Sequence, residues 1–127
     1  MGKPQVTSYS ENPKIDELVD ETIARVADKW TFFLIEALED HGAKRFSQLA
    51  RDIPGISQKM LTQTLRQMER EGLVSRTVFP EAPPRVEYAL TELGHELGEA
   101  FCGVWLWAER NIARIERARS DYDAAKR

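Results

Sequence analysis

The sequence carries one cysteine, Cys102, and two histidines, His41 and His95. A single thiol cannot close a disulfide within the chain, which excludes a disulfide-stapled secreted scaffold and points to a reducing, cytoplasmic setting. His95 and Cys102 lie seven apart on a shared helix face, but two ligands are too few for a zinc site. No nucleophile–base pair, cleft-spaced carboxylate pair or glycine-rich phosphate loop is present. An enzyme is therefore not expected, and neither a metal nor a cofactor. No apolar run approaches the roughly 18 residues of a membrane span, and the first residues lack the apolar stretch of a signal peptide. No internal repeat or low-complexity tract occurs.

What is present suits one domain. The 127 residues are 42% hydrophobic and 31% charged, enough to fill a small core at an ordinary domain size. The net charge of −3 is unevenly spread. Residues 44–85 hold eight Lys/Arg against four Asp/Glu, a local +4, whereas residues 1–43 and 86–127 carry −5 and −2. A basic middle between acidic flanks fits a protein whose centre meets a polyanion, because the local field outweighs the mean.

Residues 1–13 are polar, contain Pro4 and Pro13, and read as a loose N-terminal arm; residues 14–127 form the single domain. Ile15, Leu18, Val19, Ile23 and Val26 recur at helical spacing, and Asp16, Glu17, Asp20 and Glu21 are the solvated face of that helix. Asp28 is an N-cap candidate for a second helix with the stripe Trp30, Phe33, Leu34, Ala37 and Leu38, ending at Gly42. Ser47 opens a short third helix that turns Leu49, Ala50 and Ile53 inward and stops at Pro54-Gly55. Ser57 caps a fourth, running to Glu71 and closed by Gly72. In it Leu61, Leu65 and Met68 share one arc, while Lys59, Gln63, Arg66 and Arg70 project oppositely with Thr62 beside them.

Leu73–Phe79 and Arg85–Leu90 are rich in β-formers and flank a Pro-rich turn, which predicts a hairpin. The fold class is thus mainly α with a small β-hairpin, in the order helix-turn-helix then wing, with Arg76 and Arg85 placing one positive charge on each wing strand. Thr91 caps a last helix reaching about Arg119. From Phe101 to Ala108 it has no charge, and Cys102 and Leu106 point away from its main stripe, so it must be covered on more than one side. Gly94, Gly98 and Gly103 each weaken a helix by about 1 kcal/mol against Ala, which close backbone approach would offset. The helices at 14–26 and 92–119, flanking a winged core at 27–91, are therefore read as a twofold homodimer interface containing Leu18, Ile23, Phe101, Cys102, Trp105, Leu106 and Ile112. An intramolecular hairpin of those two helices is the competing arrangement.

Asp28–Leu97 resembles the HxlR family of bacterial winged helix-turn-helix transcription regulators. The resemblance lies in Asp28-Lys29-Trp30, Arg45-Phe46-Ser47-Gln48-Leu49, Pro54-Gly55-Ile56-Ser57, Lys59-Met60-Leu61-Thr62-Gln63, Pro83-Pro84-Arg85-Val86-Glu87-Tyr88 and Leu90-Thr91-Glu92-Leu93-Gly94. Their order and spacing carry it. It implies a homodimer built from the terminal helices, with two winged helices on a roughly palindromic promoter operator. The chain departs from the family twice. No cysteine precedes Trp30, where many members carry a sensing thiol, and Ala27-Asp28 stands where glycines are usual.

Double-stranded DNA asks for cations toward phosphates and short polar groups toward base edges. Ser57 and Gln58 sit at a helix N-terminus suited to a phosphate or the groove. Gln63 can pair with adenine, Arg66 with guanine or a phosphate, Lys59 with a phosphate, Thr62 with a thymine methyl. Arg76 and Arg85 would reach phosphates or the minor groove. Cys102 reads as a small buried hydrophobe, with no Lys or Arg within a helical turn to activate it. His41 is expected near a helix C-terminus. Trp30, Trp105 and Trp107 read as core and interface anchors, beside which a small aromatic effector is an admissible partner. The competing functions are a winged helix used for protein–protein contact and a redox sensor acting through Cys102 alone.

Overall fold

The computed structural model describes residues 12–26, 28–39 and 42–126; the expected arm, except for Asn12 and Pro13, and His41 lie outside them. The elements are α1 (Pro13–Val26), α2 (Lys29–Glu39), β1 (Lys44–Arg45), α3 (Phe46–Asp52), α4 (Gln58–Arg70), β2 (Val74–Phe79), β3 (Arg85–Leu90) and α5 (Glu92–Ala125). One antiparallel sheet has the order β1-β3-β2.

Local chemistry sets most boundaries. Asp28 Oδ1 accepts from the Trp30 backbone N–H at 3.0 Å and caps α2. Ser57 Oγ accepts from Met60 N and Thr91 Oγ1 from Gly94 N, each at 3.0 Å, so both expected caps form. Gly72 closes α4 with φ +78°, a left-handed conformation disfavoured for side chains with a Cβ. α3 begins one residue before Ser47, which does not cap it; the Gln48 side chain instead accepts from Arg45 N at 3.0 Å.

The core is formed by one face of each winged-helix element. Leu34, Ile35 and Leu38 of α2, Leu49 of α3 and Leu61, Leu65 and Met68 of α4 are buried, with Ile53, Leu73 and Val74 beside them. Phe101 completes this core from α5, its ring 5.1 Å from that of Phe32. Ala50, expected inward, is exposed, and Phe46 packs against the core instead. Phe33 is likewise exposed at the edge of α2.

Two α5 glycines mark close approach. A Cβ on Gly94 would lie 2.2 Å from the Leu73 carbonyl oxygen, and one on Gly98 3.1 Å from both Ile35 and Glu39. These contacts seat the first turns of α5 on the hairpin and α2, with His95 Nδ1 3.1 Å from Glu39 Oε1 across the same seam. Gly103 has nothing near it. Beyond Phe101 the helix leaves the core and runs to Ala125, past the expected Arg119. At about 1.5 Å per residue its 34 residues span roughly 50 Å.

Candidate nucleic-acid interface

α3 and α4 form a helix-turn-helix joined through Ile53–Ser57, where Gly55 takes φ +83°. The arc Leu61, Thr64, Leu65 and Met68 anchors α4 to the core. Its outer side therefore carries Gln58, Lys59, Gln63, Arg66 and Arg70, all exposed, with Thr62 half-buried. Among the described residues, Lys59, Arg66 and Arg76 are in no ion pair. Ser57 Oγ is engaged with Met60 N in its cap, so the anion-attracting groups at this end are the backbone N–H groups of Gln58 and Lys59, which come too early in the helix for an intrahelical acceptor.

Three other expected site residues are placed differently. In the hairpin register Phe79 pairs with Arg85 and Arg76 with Tyr88. Side chains alternate along a strand, so Arg76 and Arg85 lie on opposite faces of the wing. Arg85 is not free: its guanidinium sits 4.1 Å over the Phe79 ring, with Nη2 3.1 Å from Glu81 Oε2 and Nε 3.3 Å from Glu87 Oε2. The latter is an ion pair that misses hydrogen-bond geometry. Phe101 faces the chain's own core, so it does not belong with the exposed residues expected at a dimer interface.

Sequence reading missed that Lys44 is buried, its ammonium paired with Asp52. The pair is neutral, so it takes one lysine off the surface and leaves the +4 of residues 44–85 unchanged. The available signal was the Asp eight residues downstream, but the pairing depends on strand β1, whose two residues have no periodicity to read.

The second exposed surface is apolar. Among the described residues, eleven of the fourteen exposed large hydrophobic side chains lie on α1 (Ile15, Leu18, Val19, Ile23) or α5 (Leu93, Val104, Trp105, Leu106, Trp107, Ile112, Tyr122). Trp105 and Ile23 are 59% and 61% exposed. Cys102, expected buried, is exposed, because α5 has left the core by that turn. It borders a cavity of about 300 Å³ between α2 and α5 with Phe32, Ile35, Glu39 and Trp105. No Lys or Arg lines that cavity. No helix among the described residues is long and apolar enough to cross a membrane.

The HxlR-like helix-turn-helix family pattern matches residues 25–116, well over half the chain. The chain belongs to that family. It is, accordingly, a DNA-binding transcriptional regulator and not an enzyme. The HTH-type transcriptional regulator YtfH of Escherichia coli is 37% identical over 101 residues, covering 80% of this chain and 79% of YtfH. Among solved structures, the transcriptional regulator ytfH from Salmonella typhimurium superposes with a TM-score of 0.66 at 35% identity, over 80% of this chain and 90% of that one. The reduced form of the transcriptional regulator YodB from Bacillus subtilis gives 0.67 at 36%, over 80% and 96%.

Proposed function

We propose that this HxlR-family regulator acts as a homodimer that reads a roughly palindromic promoter operator through α4, with the wing against the flanking backbone. The observation that carries this is the pairing of two unlike surfaces on one chain. α4 presents a polar, cationic face, and α1 and α5 present large apolar side chains that stay exposed among the described residues. Monomeric proteins rarely leave contiguous apolar patches of that kind exposed, and self-association by a twofold axis covers such a patch with its own copy. Leu18, Ile23, Cys102, Trp105, Leu106 and Ile112 then form the interface. The same axis would set two α4 helices toward successive major grooves, the usual arrangement of dimeric helix-turn-helix proteins.

On α4, Gln63 and Arg66 are the candidates for base edges, Gln63 for adenine and Arg66 for guanine. Gln58, Lys59 and the first-turn N–H groups are candidates for phosphates, and Thr62 for a thymine methyl. Arg76 is the wing cation without an ion pair among the described residues. A protein-docking winged helix would more often expose apolar anchors on this face, and α4 offers only Met60. A second reading is favoured by one observation, the exposure of Cys102: oxidation would join two protomers by an inter-subunit disulfide. Absence of a dimer band on a non-reducing gel after oxidant treatment rejects it.

The experiment that tests the first reading is fluorescence anisotropy with duplex from the region upstream of the gene, titrated over salt and against a scrambled duplex. Tight binding that weakens steeply with salt and discriminates against the scramble is expected. Arg66→Ala is expected to lose about 1–3 kcal/mol and relax base preference, whereas Lys59→Ala weakens both duplexes alike and lowers the salt slope by about 1. Equal, weak binding to both duplexes, unchanged by either substitution, would refute the assignment of α4.

A further inference from the structure

The wing tip holds its own arginine closed. Arg85 and Phe79 face each other across the hairpin, and the guanidinium lies over the ring. Glu81, in the turn, reaches Nη2 at 3.1 Å, and Glu87, two residues along β3 on the same face, reaches Nε at 3.3 Å. Glu81 is carried by a turn containing Pro80, Pro83 and Pro84, whose rings fix φ and limit how far it can move. Two carboxylates on one guanidinium leave this cluster with a net negative charge, in a position where a winged helix approaches the phosphate backbone.

We propose that Glu81 is an intramolecular competitor for the DNA phosphate that Arg85 would otherwise contact. Carboxylate and phosphate oxygens are equivalent partners for the guanidinium fork. The Glu81 carboxylate is half-exposed, and exposed ion pairs are weak enough to exchange. Glu87 is the more enclosed of the two carboxylates and keeps the arginine oriented on Phe79 while the outer partner is exchanged. The Arg85 face of the free wing is therefore closed to polyanions, and a duplex contact at Arg85 requires a phosphate to take the place of Glu81. Glu81 thereby lowers affinity for every duplex alike and leaves sequence discrimination to α4. This inference rests on the DNA-binding reading of the hairpin.

The test compares wild type, Glu81→Gln, Arg85→Ala and the double variant in salt titrations on the upstream duplex. It also follows the Arg85 Nε–Hε NMR resonance with and without duplex. Loss of one exposed competing ion pair from the free protein tightens binding by up to about five-fold, and the logarithmic salt slope stays the same because both forms make the same phosphate contact in the complex. Glu81→Gln is expected to gain that much, to gain nothing in the Arg85→Ala background, and to show the Arg85 resonance already displaced in free protein. An unchanged Glu81→Gln affinity overturns the proposal. A gain that persists without Arg85 also overturns it, because removal of a repelling charge then suffices. Wild type that binds duplex steeply with salt while its Arg85 resonance stays fixed refutes the exchange and leaves the α4 reading standing. Wild type that does not bind duplex refutes both.

Discussion

On α4 the apolar arc of Leu61, Leu65 and Met68 is buried completely and the polar side faces out. On α5 beyond Phe101 the arrangement is reversed, with Val104, Trp105, Leu106, Trp107 and Ile112 all outward. Both stretches are regular helix in the same chain, so propensity does not separate them. The difference is the location of the surface that covers each apolar side. For α4 it is α2, β2 and the rest of the winged core, whereas the apolar side chains of α5 after Phe101 stay exposed among the described residues. An apolar arc turned inward holds a helix to its own fold, whereas an exposed helix turn that is apolar all round is the kind of surface that association would cover.

Equivalent substitutions in the two regions should therefore fail differently. Leu65→Ala removes buried methyl groups from a packed site and is expected to lower unfolding free energy by about 2–5 kcal/mol. Chemical denaturation should show that loss at any protein concentration. Leu106→Glu removes nothing from the core and puts a charge on the outward side of α5. The expected result is a well-folded monomer by analytical ultracentrifugation, with a melting temperature that no longer rises with protein concentration, as an associating wild type requires. A dimer that survives Leu106→Glu would break the comparison and leave the exposed apolar side of α5 unexplained.

The legibility of the two regions in the sequence follows the same division. The α4 caps, the hairpin and the Thr91 cap could be read because each is set by residues within a few positions of one another. Strand β1 could not be read: its two residues are strand only because Lys44 and Arg45 pair with Tyr88 and Glu87, over forty positions away. Burial of Lys44 against Asp52 goes with that same strand. The opposed faces of Arg76 and Arg85 were readable in principle. A five-residue turn after Phe79 puts Phe79 opposite Arg85, and Arg76, three positions back, falls on the other face. Cys102, read as buried, is exposed in the protomer, and Phe101, read as an interface residue, packs into the protomer's own core, because periodicity locates the side of a helix but not the turn at which it leaves the core.

The smallest expected effect sharpens the comparison from within α4. Ser57 serves both surfaces at once: its hydroxyl satisfies Met60 N, and it stands at the end of α4 assigned to the groove. Ser57→Ala should lose about 1 kcal/mol of stability, as cap removal typically does. Ser57→Asp keeps a capping oxygen and adds a negative charge where a phosphate is expected. If that end of α4 meets DNA, Ser57→Asp restores the melting temperature lost in Ser57→Ala while weakening duplex binding below either form. If α4 is held by the core but meets no polyanion, the aspartate restores stability and leaves binding unchanged. Stability and binding then come apart at one side chain, and thermal melts beside anisotropy titrations separate the buried side of α4 from its outer one.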